Sequence, residues 1–170
     1  MIDPIDGTTN FIYGFLYAVS VALTVQETKK VVFGVVYSPK TETLYYGRHG
    51  QDGFVIKDGD KKSLKVGSFS DNEGIAIFGM PYNRKKIEKI LNVAERIHKL
   101  SSDLKCIGSS SLDICMVAEG KAKLNFELGL NIWGICVRML ILTEAGGDYK
   151  KEDDLFLFGI DRVFELCKGE

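Results

Sequence analysis

Residues 2–11 read Ile-Asp-Pro-Ile-Asp-Gly-Thr-Thr-Asn-Phe, and this decapeptide contains the most specific pattern in the chain. Pro4 fixes one φ angle and disfavours helical geometry at Asp3, so the stretch is predicted to run from the end of a strand into a turn. In such a turn the carboxylates of Asp3 and Asp6 are free to converge on a hard cation.

The residues that follow the second aspartate favour an anion. Gly7 lets backbone N–H groups approach a phosphate closely, and Thr8 or Thr9 can open a short helix whose N-terminus favours phosphate. Two carboxylates beside a phosphate cradle are what metal-assisted phosphoryl hydrolysis requires. An ordinary surface turn is the alternative interpretation of these few residues, because Asp, Pro and Gly all favour turns.

The longer string Asp3–Phe11 resembles the first metal-binding motif of the inositol monophosphatase family. These are Mg²⁺-dependent, lithium-sensitive phosphomonoesterases, within a wider group that includes fructose-1,6-bisphosphatases and bisphosphate nucleotidases. Residues 106–120 are similar to the loop and helix that open the family's second domain. Residues 126–133 and 142–147 are similar to its second motif, so the resemblance extends from residue 2 to about residue 149.

The resemblance implies a role for each residue of the first motif. Asp3, Asp6 and the carbonyl of Ile5 would hold Mg²⁺. Gly7 and Thr8 would bind the substrate phosphate, with Ile5 and Asp6 beside it. The Thr8 hydroxyl would help to orient the attacking water, which makes Thr8 and Asp6 the implied catalytic residues.

Two further segments carry implied substrate contacts. Gly108, Ser109 and Ser110 match the family loop that contacts the alcohol part of the substrate, although Ser109 or Ser110 is also a good N-cap for the following helix. Both roles stay open for these serines. Glu127 matches a carboxylate that hydrogen-bonds substrate hydroxyls; without its neighbours it would be interpreted as a surface acid at a strand end.

The second motif departs from the family pattern. Family members carry a metal-binding Asp directly after the Trp, whereas here Gly134 follows Trp133. One helical turn later stands Arg138, on the same predicted helix face as Gly134. A carboxylate is therefore lost where a guanidinium is gained, and both changes weaken the binding of a cation.

The start of the chain departs as well. The family supplies another metal-binding Glu, two long helices and a strand from residues upstream of the first motif, and Met1 occupies what resembles an interior strand position. Without those helices the alternating apolar residues Val19, Val21 and Leu23 would lack a partner layer. We expect low solubility, or self-association as the homodimer that is common in the family.

Composition excludes several classes of function. The chain has 170 residues, 45% of them hydrophobic, and a net charge of −1 from 22 basic and 23 acidic residues, so no basic field recruits nucleic acid. No run reaches transmembrane length and no signal-peptide pattern is present, which argues against a membrane partner. The four cysteines form no C-x-x-C pattern and are interpreted as reduced residues of a cytoplasmic protein.

The order of elements predicts an α/β protein in two parts. Residues 1–67 form an α+β lobe containing an antiparallel meander, with strands at 16–25, 31–37, 43–46 and 54–56. Residues 74–170 form an α/β lobe with parallel pairing, and residues 65–73 form the hinge. The strands of the α/β lobe are expected at 74–78, 104–107 and 122–126, and its helices at 84–100, 110–118 and 131–145. With the resemblance, this is a layered α-β-α-β-α sandwich that lacks its N-terminal helices.

Three functional hypotheses follow. The first is Mg²⁺-dependent hydrolysis of a small sugar or polyol phosphate monoester, impaired in this chain. The second is a non-catalytic remnant that serves as an anion-binding or oligomerising scaffold. The third keeps the chemistry but has fructose-1,6-bisphosphatase or bisphosphate nucleotidase specificity.

Overall fold

The first sheet is an antiparallel meander in chain order. The computed structural model describes residues 1–70, 72–130, 132–160 and 162–164, and of residues 132–134 the backbone only. The strands of the first sheet are β1 (Ile2–Asp6), β2 (Ala18–Thr24), β3 (Val31–Ser38), β4 (Thr43–Arg48), β5 (Gln51–Lys57) and β6 (Asp60–Ser63). A short helix, α1 (Thr8–Tyr13), connects β1 to β2. The meander is as predicted, except that β6 was not foreseen.

The second sheet is mixed. It contains β7 (Ile75–Phe78), β8 (Asp103–Lys105), β9 (Leu124–Leu128), β10 (Asp148–Glu152) and β11 (Leu155–Gly159), in the order β10-β11-β9-β7-β8. β7 pairs in parallel with β8 and β9, as the alternation of strands and helices predicted. β11 and β10 continue the sheet in antiparallel pairing, and this hairpin was not predicted.

The helices separate the two sheets into layers. α3 (Ser110–Ala118) and α4 (Ile132–Glu144) contact strands of both sheets, whereas α2 (Ile87–His98), which follows a 3₁₀ turn at Arg84–Lys86, contacts β7 and β8. α2 is amphipathic, and α3 is apolar on nearly every side because it is covered on both faces. The described layers are sheet, helix pair, sheet and helix, which confirms the predicted α/β layered class without an N-terminal helical layer.

Two clusters of buried side chains hold these layers together. The larger lies between the sheets, where Ala22 and Val36 of the first sheet meet Ile114 of α3 and Ile141 of α4. The smaller packs α2 against the second sheet around Phe126. Burying a side chain of this size contributes about 1.5–3 kcal/mol, so both helical layers are fixed chiefly by apolar contact.

The outer face of the first sheet is open. Ala18, Ser20 and Ala22 of β2 are buried, whereas the alternating Val21 and Leu23 are 37% and 57% exposed. This alternation is the one that the sequence predicted. None of the helices in the described ranges is long and apolar enough to cross a membrane.

The described cysteines differ in their exposure. Cys115 is buried, Cys136 is half-buried and Cys106 is exposed. Cys167 lies outside the described residues. No pair among the described cysteines forms a disulfide.

A row of three glycines brings α4 close to the first sheet. Gly34 of β3 pairs with Gly47 of β4, which pairs with Gly53 of β5. A Cβ atom at Gly34 would lie 2.9 Å from Cγ1 of Val137, and one at Gly47 would lie 3.3 Å from the Cα of Ile141. The glycines therefore form a groove that accepts the α4 backbone, and this contact fixes where the side chains of α4 point.

We expect Gly34→Ala to destabilise the protein by about 1–3 kcal/mol, because the added methyl group overlaps Val137. An alanine in an open strand position would normally be favoured over glycine. Val137→Ala removes the opposing group, so the double variant should lose less stability than the sum of the two single losses. The free energies of unfolding are measured by urea denaturation. If the losses of the two single variants simply add in the double variant, the proposed close contact between Gly34 and Val137 is contradicted.

Candidate active site

The first motif folds as the sequence predicted. Asp6 ends β1, Gly7 has a left-handed backbone with φ of +84°, and α1 begins at Thr8. The left-handed conformation explains the glycine, because an L side chain rarely adopts it. The strand, turn and short helix bring the carboxylates of this motif to the start of α3.

Asp6 is held by the second segment of the site. Its Oδ2 accepts hydrogen bonds from the Ser109 hydroxyl and from the backbone N–H of Ser111, both at 2.7 Å. Asp6 therefore caps α3 from another part of the chain. Ser109 occupies the N-cap position, one of the two predicted for the cap, but its side chain makes no capping hydrogen bond.

Asn10 also connects the first motif to the loop before α3 by hydrogen bonds, a role that the sequence analysis missed. Its side-chain amide donates to the carbonyl of Leu16 at 2.6 Å and to that of Ile107 at 2.7 Å. A Cβ atom at Gly7 would lie 2.9 Å from the carbonyl oxygen of Gly108, so the two loops touch through their backbones. Asn10 lies within the string Asp3–Phe11, and this position was the only available signal.

The two segments border a cleft of about 230 Å³. Of the predicted site residues, Asp6, Gly7, Gly108, Ser110 and Glu127 line it together. The other predicted residues, which are not among its lining residues, are Asp3, Ile5, Thr8 and Ser109.

Further lining residues were not singled out by the sequence analysis, namely Gly79, Met80, Tyr82, Asp113 and Leu130. Asp113 lies one helical turn after Ser110 on α3, and this spacing could have revealed it. Gly79 follows β7 at the carboxyl edge of the parallel strands, where sites of α/β sheets often lie. A side chain there would overlap the carboxylate of Glu127.

Asp113 and Glu127 are buried acids that face the cleft. Both carboxylate oxygens of Asp113 and one of Glu127 have no hydrogen-bond partner among the described residues. Burial raises the pKa of Asp113 well above its usual range, and the negative charge of Glu127 raises it further. Burial likewise raises the pKa of Glu127 to about 7, while the positive charge of Arg138 opposes the shift.

Arg138 reaches the first motif from α4. Its guanidinium Nη2 lies 3.6 Å from Oδ1 of Asp6 and 3.8 Å from Oδ2 of Asp3. The side chains of Arg138 and Asp6 are 5% and 14% exposed, whereas that of Asp3 is 35% exposed, so the contact with Asp6 is the one better shielded from solvent. The predicted guanidinium therefore faces both first-motif carboxylates. The surroundings of Gly134, the other departure, lie outside the described residues.

The residues present do not fit a tightly bound Mg²⁺. No group of three or more acidic, histidine or cysteine ligands that could hold a metal exists among the described residues. Oδ2 of Asp6 is already engaged by two donors, and a guanidinium faces its Oδ1. Mg²⁺ in octahedral coordination needs carboxylate oxygens and waters at about 2.0–2.1 Å, and here the guanidinium of Arg138 faces the carboxylates where the metal and its waters would lie.

Fold and site together define a phosphatase-type α/β scaffold, and the chain belongs to the inositol monophosphatase family. The model of that family matches residues 1–154. The relatives from which the family is known are phosphatases that hydrolyse phosphate monoesters.

Individual relatives agree with this assignment. The chain is 36% identical to inositol monophosphatase 1 of Bos taurus over 152 residues, which is 86% of this chain and 53% of the relative. It is 36% identical over 154 residues, 87% of this chain and 55% of the relative, to fructose-1,6-bisphosphatase/inositol-1-monophosphatase of Aquifex aeolicus. The chain thus spans about half the length of these curated relatives.

The fold matches solved structures of the same group. Mycobacterium tuberculosis SuhB superimposes with a TM-score of 0.86 at 28% identity, over 96% of this chain and 67% of that one. The Thermotoga maritima inositol monophosphatase superimposes with a TM-score of 0.82 at 25% identity, over 98% of this chain and 66% of that one.

The raised pKa of Glu127 predicts a pH-dependent stability. The folded state binds this proton more tightly than the unfolded state, so the stabilisation is complete below about pH 4.5 and is lost as pH rises through about 7. We expect Glu127→Gln to flatten the fall in the free energy of unfolding between about pH 5 and 7.5. Glu88→Gln, on the exposed face of α2, is the control. An unchanged profile for Glu127→Gln would contradict the shift.

Proposed function

We propose that this chain binds a small polyol or sugar phosphate monoester in the cleft, as an inositol monophosphatase-type phosphatase whose hydrolysis is impaired. One observation carries the proposal: the carboxylates of Asp113 and Glu127 are buried at the cleft, and both oxygens of Asp113 and one oxygen of Glu127 lack hydrogen-bond partners among the described residues. A buried acceptor without a donor costs about 1–3 kcal/mol. A ligand with several hydroxyl groups would donate hydrogen bonds to both carboxylates and so remove this cost.

The phosphate end of the ligand would meet the loops of the first motif. We propose that Gly7 and Thr8 bind the phosphate, with Thr8 and Asp6 orienting the attacking water. Gly7 and Gly108 support this placement, because both have a left-handed backbone that favours glycine and neither brings a side chain to the cleft wall. Ser110, which lines the cleft, is the proposed contact to the alcohol part.

Three residues have less direct roles in this proposal. Ser109 is 0% exposed and donates to Asp6, so it would act on the ligand only by positioning that carboxylate. Asp3 and the carbonyl of Ile5 would complete, with Asp6, the metal ligands that the family resemblance implies. The family is metal-dependent, and because its ligands are incomplete here, we propose that Mg²⁺ binds this chain in the millimolar range or worse.

A non-catalytic scaffold is the second candidate. Arg138 faces Asp3 and Asp6, where hydrolysis would need a cation held for chemistry. This contact favours a chain that recognises an anion without cleaving it. Fructose-1,6-bisphosphatase specificity is supported only by the name of the Aquifex aeolicus relative, which combines both activities.

The first test separates recognition from hydrolysis. At about pH 8, where Glu127 is ionised, we expect inositol-1-phosphate to bind in calorimetry. Glu127→Gln should weaken this affinity by about tenfold, because one charge-assisted hydrogen bond is lost. The affinity for inorganic phosphate should not change, and Glu88→Gln serves as the control. Equal loss for both ligands would contradict the proposed hydroxyl contact.

The same samples test the impairment. With Mg²⁺ present, we expect no release of phosphate from inositol-1-phosphate or p-nitrophenyl phosphate above a protein-free blank. Robust turnover by the native chain would contradict an impaired site while leaving the proposed ligand class intact.

The open sheet face predicts self-association, and we propose a homodimer in the cytoplasm. Leu23 is 57% exposed on that face, next to other exposed apolar residues of β2. We expect the native chain to self-associate or to bind a hydrophobic-surface dye, and Leu23→Lys to reduce both. Leu91→Lys is the matched control, because Leu91 is 47% exposed on α2. A monodisperse monomer that binds no dye, observed by light scattering and fluorescence, would contradict the prediction.

A further inference from the structure

Four acids lie around a single buried guanidinium. Arg138 contacts Asp3 and Asp6 directly, and its charge also acts on Asp113 and Glu127. Two carboxylates that face the same point repel each other, and a positive charge between them offsets that repulsion. In this chain the offset is provided by a side chain of α4.

We propose that the Arg138 guanidinium replaces a divalent cation as the internal counter-ion of Asp3 and Asp6, so that the folded site is held together without metal. The proposal concerns the charge balance of the site and does not depend on which ligand the cleft binds.

The geometry supports replacement and not coexistence. Nη2 lies within 4 Å of both carboxylates, and Mg²⁺ between them would need oxygen contacts at about 2.0–2.1 Å. The metal would then stand beside a guanidinium of like charge. Because the side chains of Arg138 and Asp6 are 5% and 14% exposed, this repulsion is stronger than in water.

The arginine is also prevented from leaving. Its helix is held against the first sheet by the glycine groove, where Val137 directly precedes it in sequence and contacts Gly34. The Arg138 side chain is only 5% exposed. Withdrawing it would leave a buried charge without its carboxylates, which is strongly destabilising.

Removing the guanidinium should therefore convert the site into a metal site. We choose Arg138→Met, which keeps the apolar stem and deletes the charge. With about 10 mM MgCl₂, the melting temperature of this variant should rise by about 3–5 °C, as expected for a site with a Kd near 1 mM in a chain of this size. The native chain should shift by less than about 1 °C, which corresponds to a Kd of roughly 10 mM or weaker.

Two variants serve as controls. Lys123→Met removes another buried cation, whose ammonium donates to the Leu100 carbonyl, and should create no dependence on Mg²⁺. Asp3→Asn added to Arg138→Met removes one proposed ligand and should abolish the new Mg²⁺ shift. NaCl at equal ionic strength, which keeps the same anion, controls for general salt effects.

Each outcome bears on the proposal. A Mg²⁺ shift in Arg138→Met that disappears on adding Asp3→Asn supports it. No shift in Arg138→Met, or an equal shift in the native chain, overturns it. If Arg138→Met is recovered unfolded, refolding in Mg²⁺ should restore its near-ultraviolet circular dichroism, and failure to do so also overturns the proposal. None of these readouts involves phosphate binding or turnover, so they are independent of the proposed function.

Discussion

The carboxylate of Asp6 joins three parts of the chain that are far apart in sequence. One of its oxygens accepts from Ser109 and from the Ser111 amide, residues 103 and 105 positions away, and the other faces Arg138. Strand β1, helix α3 and helix α4 therefore converge on one side chain. Because α3 begins at this carboxylate, the loop before it and the cleft beyond it are both placed by the same contact.

The position of α4 depends on a different kind of constraint. Gly34, Gly47 and Gly53 remove side chains from one row of the first sheet, and the helix backbone occupies the space. Close packing of this kind is rigid, so the guanidinium that α4 carries is delivered to the carboxylates in a fixed orientation. The guanidinium of Arg138 can balance the charge of the carboxylates, but it cannot polarise a phosphoryl group as a bound metal does.

Much of the site is local in sequence and was predictable. The turn at Gly7 follows from Pro4 and the glycine itself, and α3 has the bounds that were predicted for it, 110–118. The hairpin at 148–159 was missed because β10 is rich in lysine, a composition that suits an exposed sheet edge and hides the strand pattern. The hydrogen bonds from the start of α3 to Asp6 were also missed, because residues more than a hundred positions apart in sequence leave no local pattern when they bond.

The central claim is that a guanidinium stands where a metal would otherwise bind, and crystallography with manganese tests it most directly. Crystals of the native chain and of Arg138→Met would be grown with Mn²⁺, and anomalous difference maps calculated for both. We predict no anomalous peak between Asp3 and Asp6 in the native chain, with the Arg138 guanidinium within about 4 Å of both carboxylates, and a peak at that point in Arg138→Met. A peak in the native chain, with Arg138 turned away from the carboxylates, would contradict the account.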